Sequence, residues 1–289
     1  QQQQQQPLPA AEQDAVYQVL DSINPAVDWR SLYPDDLCLY GPHGLLCDYF
    51  SSTDAATGDV PHVVQLNFGY VSDFSPNPPC SPHPAFTPLL SSASFPFLRK
   101  LFFYGCFNGS SRTPLPPHFW HLPSSLEELV FVDNPSLVGR LSARVGTFTR
   151  LRRLVITGTR LSGPIPDDVG NLPALQQLVL SRNRLRGNLP RSLARCRGLK
   201  ILDLSGNRIS GSLPPGMGQL AALLKLDLSG NHIAGPVPDA FSGLRRLEFL
   251  DLSRNNLTGG VPAAAMAAMA NLKEAYLSGN PLGGRIPEE

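Results

Sequence analysis

The chain has 289 residues, of which 42% are hydrophobic and 16% charged, and its formal net charge at pH 7 is +1. This composition excludes a disordered polyampholyte, because the chain has enough apolar residues to form a core. Its 29 prolines and 25 glycines are about a fifth of all residues, a high share that their periodic placement explains. No apolar run approaches the ~20 residues that a membrane-spanning helix needs.

The N-terminal region is predicted to hold a tail and a cap. Six glutamines and a Pro/Ala segment predict a disordered tail over residues 1–10. No basic start followed by a hydrophobic stretch is present, so a secreted protein with this sequence would already be mature. Residues 11–60 are predicted to form the cap, with Trp29 as a plug and a helix that ends by Asn24-Pro25. The apolar stripe of that helix consists of Ala15, Val16, Val19, Leu20 and Ile23.

Residues 126–289 repeat with a period of 24 or 25 residues. Two irregular repeats with Pro-rich insertions are predicted before them, in residues 61–125. In the copy LKILDLSGN, Leu199, Leu202 and Leu204 point inward and the residues between them point outward, which is the period of a β-strand. One such strand cannot bury its apolar face alone. The repeats therefore predict stacked copies that share one parallel sheet and one leucine core.

Asparagines recur at the position where each strand must turn: Asn183, Asn207, Asn231, Asn255 and Asn280. An amide side chain offers donors and an acceptor, so a column of asparagines can satisfy backbone groups that the turn would otherwise bury unpaired. The last copy stops at Ile286-Pro287 without a following layer. We therefore expect the last repeat to be incomplete and uncapped, with further repeats missing.

The segment L-x-G-x-I-P after each asparagine resembles the plant-specific class of leucine-rich repeats found in receptor-like proteins and receptor kinases. Upstream, EQDAVYQVLDSI, DWRSLYPDDLC, HGLLCDYF, VVQLNFGYVSD, SPNPPC and LRKLFFYGCF resemble the group around Piriformospora indica-insensitive protein 2, and more distantly the too many mouths group. The resemblance covers residues 11–289. It implies an α/β repeat solenoid, a right-handed superhelix with a concave parallel β-sheet, and a second short strand at L-x-G-x-I-P.

The chain has five cysteines. We predict that the disulfide Cys38–Cys47 staples the cap and that Cys80–Cys106 ties the Pro-rich insertion to its repeat, with Cys196 left as a buried thiol. Two disulfides indicate an oxidising compartment. Metal binding is the alternative, but the sequence has no C-x-x-C or Cys/His cluster, so no metal and no cofactor are predicted.

Two triplets fit N-glycosylation, at Asn108 and Asn256, and the second lies beside a predicted turn. Together with the disulfides they indicate an extracellular or cell-surface protein from the secretory pathway.

The outward strand positions are predicted to bind a partner. Four consecutive repeats carry apolar residues there: Phe102, Tyr104, Val130, Val132, Val155 and Val179. A track of mixed polarity continues them: Arg153, Arg182, Lys225, Phe249, Arg254, Glu274 and Tyr276. An apolar strip facing water indicates a contact surface, with Phe102 and Tyr104 as its anchors. The alternative is that the loops at 72–97 and 107–125 fold over the strip.

Charged residues are distributed unevenly. Residues 1–80 carry ten acidic side chains against Arg30 alone, whereas residues 140–197 carry twelve arginines against Asp167 and Asp168. This separation of acidic and basic residues either steers an oppositely charged partner or belongs to a solvated convex face. Asp203, Asp227 and Asp251 form either an anionic ladder or merely the repeat consensus LDLS, which is the interpretation we favour.

No histidine stands in a recognisable catalytic order and no phosphate-binding loop is present, so we expect no enzyme. The resemblance implies a receptor-like or co-receptor ectodomain that binds a secreted peptide, a leucine-rich-repeat receptor kinase ectodomain, or both, in development or in responses to microbes. Nucleic acid is not an expected partner. The alternative function is an inhibitor of cell-wall-degrading enzymes, of the polygalacturonase-inhibiting type, or a pectin binder.

Overall fold

A computed structural model of the chain describes residues 5–54, 58–69, 78–90, 93–260 and 262–283. The chain divides into two units, Gln1–Leu137 and Val138–Glu289, called here the N-terminal and C-terminal units. No helix in the described ranges is both long and apolar enough to cross a bilayer.

The N-terminal unit begins with the predicted cap. Helix α1 (Ala10–Ile23) buries the predicted stripe of Ala15, Val16, Val19, Leu20 and Ile23. It ends where the backbone N–H of Asn24 donates to the Leu20 carbonyl at 2.8 Å. Trp29 opens helix α2 (Trp29–Leu32), is buried, and donates from its indole N–H to the Asn24 carbonyl at 3.1 Å. The helix, its end and its aromatic plug are therefore confirmed.

The boundary predicted between tail and cap is wrong. The side chain of Leu8 is 4% exposed and its N–H donates to Asp36 Oδ1 at 3.4 Å. Pro9 is the residue before α1, and its ring fixes its own φ angle at the point where the chain enters the helix. The segment from Leu8 to Ala10 thus belongs to the cap, while residues 1–4 of the predicted tail lie outside the described residues.

The sheet of the N-terminal unit starts with an antiparallel pair and continues in parallel. Strand β1 (Leu45–Phe50) pairs antiparallel with β2 (Val60–Phe68). Strands β3 (Lys100–Tyr104) and β5 (Glu128–Val132) follow in parallel, and β4 (Thr113–Pro114) lies in the segment between them. Single-turn 3-10 helices span Thr87–Leu89 and Pro117–His121.

Phenylalanines rather than leucines fill the core beneath these strands. Phe68, Phe103 and Phe131 are fully buried at equivalent positions of β2, β3 and β5. Their ring centroids are 5.2 Å and 4.6 Å apart in two stacked contacts, and Phe119 meets Phe131 edge-on at 5.8 Å. Each stacked or edge-on pair adds about 0.5–1.5 kcal/mol to its burial.

Both predicted disulfides are present. Cys38 lies in helix α3 (Leu37–Tyr40) and bonds to Cys47 of β1, with the two Cα atoms 5.6 Å apart. Cys80 bonds to Cys106, with a Cα separation of 5.4 Å. The amide of Asn24 donates to the carbonyls of Pro78 and Pro79, so the end of the Pro-rich insertion is also held by the cap. Residues 70–77 of that insertion lie outside the described residues.

The C-terminal unit contains the regular repeats. Their first strands form a parallel sheet in this order: β7 (Arg153–Thr157), β9 (Gln177–Val179), β11 (Ile201–Asp203), β13 (Lys225–Asp227), β15 (Phe249–Asp251) and β17 (Glu274–Tyr276). The register places Leu178, Leu202, Leu226 and Leu250 in one column, and all four are fully buried. This is the predicted leucine core.

Second strands follow the turns, as the resemblance implied. Strands β6 (Leu137–Arg140), β8 (Arg160–Pro164), β10 (Arg184–Asn188) and β12 (Arg208–Ser210) pair in parallel, and β14 (Ala234–Gly235) pairs with β16 (Asn256–Leu257). The rest of each repeat forms one turn of helix. Five of these turns are 3-10 helices, Ala143–Thr147, Asp167–Asn171, Arg191–Arg195, Pro215–Gln219 and Asp239–Gly243, and the sixth is the α-helix α4 (Ala263–Ala268).

Cys196 is buried and free as predicted, and burial raises the pKa of its thiol.

The asparagine column connects each repeat to the one before it. Asn207 is 6% exposed, and its Oδ1 accepts from the Leu185 N–H at 3.0 Å. Its Nδ2 donates to the carbonyls of Leu180 at 2.8 Å and Leu204 at 3.0 Å. Asn183, Asn231, Asn255 and Asn280 make equivalent bonds. The predicted role of these side chains is confirmed.

Glu12 gives the cap a pH-dependent contribution to stability. It is 4% exposed; its Oε2 lies 2.9 Å from His62 Nδ1 and its Oε1 accepts from the Val63 N–H at 3.2 Å. Burial raises the pKa of Glu12 above its ordinary value of 4.5, and the bonds to His62 and Val63 offset only part of that effect. The carboxyl group therefore stabilises the fold fully below pH 4.5, and this contribution is lost as pH rises through the raised folded-state pKa.

The variant Glu12→Gln should lack this pH dependence. Relative to the variant, the wild type should lose free energy of unfolding between pH 4.5 and neutrality, as urea denaturation at several pH values would measure. The exposed Glu274→Gln serves as the control and should leave the wild-type slope unchanged. A constant difference between Glu12→Gln and the wild type at all pH values would contradict the assignment.

Candidate recognition surface

The first strand of each repeat has two faces with different environments. In β11, Leu202 is fully buried in the core, whereas Ile201 and Asp203 on the opposite side are partly exposed. The asparagine turn then fixes where the strand ends. We call the side chains that point away from the core the outer face of each unit, and the predicted binding residues lie on it or at its turns.

On the outer face of the N-terminal unit, Phe102 of β3 is opposite Val130 of β5, and Tyr104 is opposite Val132. Phe102 is only 7% exposed and Val130 is 0% exposed, so the prediction that these two side chains face solvent is wrong. Tyr104 and Val132 are partly exposed. Of the two predicted anchors, only Tyr104 retains surface that a partner could contact.

The burial of Phe102 has a local cause. Its ring stacks on the ring of Tyr104, with centroids 5.8 Å apart. Adjacent strands are only ~4.8 Å apart, so a large side chain on one strand also shields its neighbour across the ladder. Residues 72–77 and 91–92 of the first loop that could cover this strip lie outside the described residues.

The outer face of the C-terminal unit begins with a hydrogen bond between polar side chains of two adjacent strands. Arg153 Nε donates to Gln177 Oε1 on the neighbouring strand at 3.2 Å. Val155 and Val179 are opposite each other in β7 and β9. Val155 is 6% exposed, so it too is more buried than predicted, whereas Val179 is partly exposed.

Three aspartates continue this face as one column. Asp203, Asp227 and Asp251 are directly opposite one another in β11, β13 and β15. The Oδ1 atom of each accepts from the N–H and the hydroxyl of the serine two residues later, at 2.9–3.0 Å and 2.6 Å. These bonds give the repeat consensus a structural role, which supports the interpretation we favoured. The second carboxylate oxygens take no part in these bonds.

The column is also electrostatically unusual. Burial raises the pKa of Asp227, and the flanking carboxylates of Asp203 and Asp251 raise it further. Lys225 Nζ lies 3.7 Å from Asp203 Oδ2, and no residue of the described ranges pairs with the second oxygen of Asp227 or Asp251. Like charges held side by side in this way attract a cationic ligand.

Aromatic side chains border the acidic column. Phe249 of β15 and Tyr276 of β17 have ring centroids 5.7 Å apart, and Tyr276 is 47% exposed. Lys225 Nζ lies over the Phe249 ring, 5.2 Å from its centroid. A carboxylate column beside exposed aromatic surface can bind an extended peptide that carries basic and apolar side chains.

Arg182 and Arg254 occupy strained backbone at the turns of this face. Both have φ of 54°, at the repeat position that Gly206 and Gly230 occupy with φ of 68° and 65°. Arginine in this left-handed region costs roughly 1–2 kcal/mol, whereas glycine adopts it freely. Both arginines are exposed, and the backbone of Arg254 is fixed by its N–H, which donates to the Ser278 carbonyl at 2.9 Å.

The variant Arg254→Gly should therefore be more stable than the wild type. We expect the free energy of unfolding to rise by about 1 kcal/mol, because the strain is relieved and no buried contact is lost. Thermal denaturation of both proteins measures the difference. Arg245→Gly, an exposed arginine with ordinary backbone, is the control and should not stabilise. Equal or lower stability for Arg254→Gly would show that the arginine stem contributes more than its strain costs.

The described ranges contain no group of three or more His, Cys, Asp or Glu side chains placed to hold a metal ion. The predicted glycosylation residues Asn108 and Asn256 both have exposed side chains. Their modification stays a prediction.

The regular repeats of the C-terminal unit have the α/β fold of leucine-rich repeats. The leucine rich repeat family matches residues 149–209, 210–257 and 221–282. This match agrees with the leucine-rich repeats that the resemblance indicated.

Curated relatives are plant receptor-like proteins, all from Arabidopsis thaliana. Receptor like protein 29 is 32% identical over 155 residues, which are 53% of this chain and 31% of the relative. The protein too many mouths is 34% identical over 141 residues, covering 49% and 26%. Piriformospora indica-insensitive protein 2 is 33% identical over 152 residues, covering 52% and 33%. The matched segment thus spans about a third or less of each relative.

A solved receptor ectodomain has a similar fold. The Arabidopsis receptor kinase HAESA, in complex with the peptide hormone IDA and the co-receptor SERK1, matches with a TM-score of 0.59 and 31% identity. The match covers 69% of this chain and 32% of that one.

Proposed function

We propose that the chain is the non-catalytic recognition ectodomain of a plant receptor-like or co-receptor protein at the cell surface. Its ligand is a secreted peptide, a receptor kinase ectodomain, or both, bound along the outer face of the C-terminal unit. The fold similarity to a receptor kinase captured with a peptide hormone and a co-receptor supports this role. The disulfides Cys38–Cys47 and Cys80–Cys106 support an oxidising, extracellular environment.

The observation that carries the proposal is the aspartate column. Asp203, Asp227 and Asp251 are aligned on adjacent strands over about 10 Å, with Tyr276 at one end. Each carboxylate uses one oxygen for its own repeat. The second oxygen of Asp203 pairs with Lys225, and those of Asp227 and Asp251 are available for a ligand. A peptide in extended conformation across the strands can place basic groups on this column and an apolar side chain against Tyr276.

The strain at Arg254 is a second support. The backbone at this turn favours glycine, and arginine at the same place costs stability. A role in binding explains why an exposed arginine occupies a turn whose backbone favours glycine. We therefore assign Arg254, and Arg182 at the equivalent turn, to hydrogen bonds with ligand carbonyl or carboxylate groups.

The experiment is a binding assay of the glycosylated chain against synthetic secreted peptides and purified receptor kinase ectodomains. We call the peptide or ectodomain that binds wild type in this assay the captured partner. The variant Asp203→Asn/Asp227→Asn/Asp251→Asn should bind it at least about tenfold more weakly, because three charged contacts are lost. Asparagine can still accept the serine N–H, so the strand ends remain bonded. Affinity should also fall as pH drops, since the raised pKa of Asp227 favours loss of its negative charge.

The matched control removes the same charge elsewhere in the same unit. Asp167→Asn/Asp168→Asn/Asp239→Asn changes aspartates of two 3-10 helices and should leave binding within about twofold of wild type. If both triple variants bind alike, the outer face is not the site. If no peptide or ectodomain binds the wild type, the proposed function itself is refuted.

Tyr104 tests whether the N-terminal unit contributes. Phe102→Ala would open a cavity, because Phe102 is buried, so Tyr104→Ala alone is the informative variant. We propose that Tyr104 and Val132 form a contact surface of the N-terminal unit itself. An affinity of Tyr104→Ala for the partner equal to that of wild type would refute this contact.

A further inference from the structure

The second sheet of the C-terminal unit carries a cluster of exposed arginines. Leu161, Leu185 and Ile209 are buried at the inward positions of β8, β10 and β12. The arginines lie at outward positions of the same strands and are all exposed: Arg160, Arg184, Arg186 and Arg208. We call these four residues the arginine surface.

The arrangement is electrostatically unfavourable in the chain alone. Arg186 and Arg208 are directly opposite each other in the parallel register, and Arg184 lies two residues before Arg186 on the same side. Like charges that face each other across a ladder destabilise a sheet. The strands β6, β8, β10 and β12 contain no acidic residue, and no ion pair within the described ranges joins any of the four arginines to a carboxylate. The nearest acids along the chain are Asp167 and Asp168, after β8.

We propose that the arginine surface binds a polyuronate, the class of polysaccharide that carries a carboxylate on each sugar. The inference rests on the extracellular location in the proposed function, where a polysaccharide can reach this exposed surface. It assigns a second ligand to a surface different from the aspartate column, which attracts the opposite charge.

The chemistry favours a polymer with regularly spaced carboxylates. Strands in a sheet are ~4.8 Å apart and alternate residues along a strand are ~7 Å apart, so the arginines form a short two-dimensional lattice of guanidinium groups. Each planar guanidinium can donate two parallel hydrogen bonds to one carboxylate. Several contacts along one polymer then add up to useful affinity, although each exposed ion pair is weak.

The test measures binding of the full chain to polygalacturonate by calorimetry at several salt concentrations. Wild type should bind, and binding should weaken as salt rises. The variant Arg160→Gln/Arg184→Gln/Arg186→Gln/Arg208→Gln should bind about tenfold more weakly or not at all. Its melting temperature should equal or exceed that of wild type, because repulsion between Arg186 and Arg208 is relieved. A folded variant with wild-type affinity would overturn the proposal.

The control variant removes four other exposed arginines of the same unit: Arg144→Gln/Arg150→Gln/Arg245→Gln/Arg246→Gln. It should keep its affinity within about twofold of wild type. Equal losses in the two variants would show that net charge, rather than the arginine surface, holds the polymer, and would refute the site. Fully methyl-esterified polymer, which is neutral, should not bind. Tighter binding of single-stranded DNA than of polygalacturonate would refute the assignment of ligand class.

The two proposals fail separately. The arginine variant should still bind the peptide or ectodomain captured by wild type, and Asp203→Asn/Asp227→Asn/Asp251→Asn should still bind polygalacturonate. Loss of polygalacturonate binding in the aspartate variant would contradict the assignment of the two ligands to different surfaces.

Discussion

Replacing Asn207 with alanine is expected to lower the free energy of unfolding by about 3 kcal/mol or more. The side chain of Asn207 is buried and bonds the N–H of Leu185 and the carbonyls of Leu180 and Leu204. Alanine cannot replace any of these bonds. Each backbone group left buried without a partner costs about 1–3 kcal/mol, so the loss exceeds that of an ordinary hydrogen bond.

Urea denaturation measures this loss, and Asn188→Ala is the matched control. Asn188 lies in β10, the second strand of the preceding repeat, and its side chain is exposed. Its removal should change the free energy of unfolding by less than about 0.5 kcal/mol. Similar losses for the two variants would show that burial of the asparagine column does not determine its contribution.

Leu226→Ala is expected to destabilise the C-terminal unit by about 2–5 kcal/mol. Leu226 is fully buried in β13, with Leu202 and Leu250 at the same register position of the strands on either side. The neighbours are fixed by their own ladders and cannot move in to fill the space. The variant therefore loses the transfer free energy of the side chain and gains a cavity.

Lys225→Ala is the matched control for this variant. Lys225 is the preceding residue of the same strand, and its partly exposed side chain contacts only Asp203 and the Phe249 ring among the pairs described above. Its loss should cost less than about 1 kcal/mol. Thermal denaturation should therefore separate the two variants clearly. A larger effect for Lys225→Ala would mean that the outward and inward faces of β13 are interchanged.

Sequence periodicity predicted those features that depend on contacts repeated in every copy. Leu202 and Leu226 recur at a fixed spacing, so their inward direction follows from the alternation of a strand. Asn207 recurs at the turn, where only a side chain with donors and an acceptor can satisfy the backbone. The cap helix was predictable for a similar reason, since Val16 and Val19 mark one helical stripe.

Exposure on the outer face could not be predicted in the same way. The alternation pattern places Phe102 and Val130 outward, but it does not state which side chains shield them. Their burial depends on the size of neighbours across the ladder and on Tyr104. The same holds for Val155, which is outward yet 6% exposed. The replacement of core leucines by Phe103 and its stacked partners was visible in the sequence, but their ring geometry was not.

Two features of the candidate site have a sequence signal that indicates only part of their structure. Arg254 stands where Gly230 and Gly206 stand in other repeats, and a glycine column broken by arginine marks strained backbone. Asp227 fits the repeat consensus LDLS, and its bond to Ser229 agrees with that interpretation. Its raised pKa arises only when three strands bring the carboxylates side by side.

Site-specific photocross-linking tests most directly whether the outer face of the C-terminal unit is the recognition surface. A photoreactive phenylalanine derivative replaces Tyr276 in one protein and Arg245, an exposed residue after the 3-10 helix Asp239–Gly243, in another. The captured peptide or receptor ectodomain should cross-link from position 276 and not from position 245. Cross-linking from position 245 with none from position 276 would contradict the proposed surface.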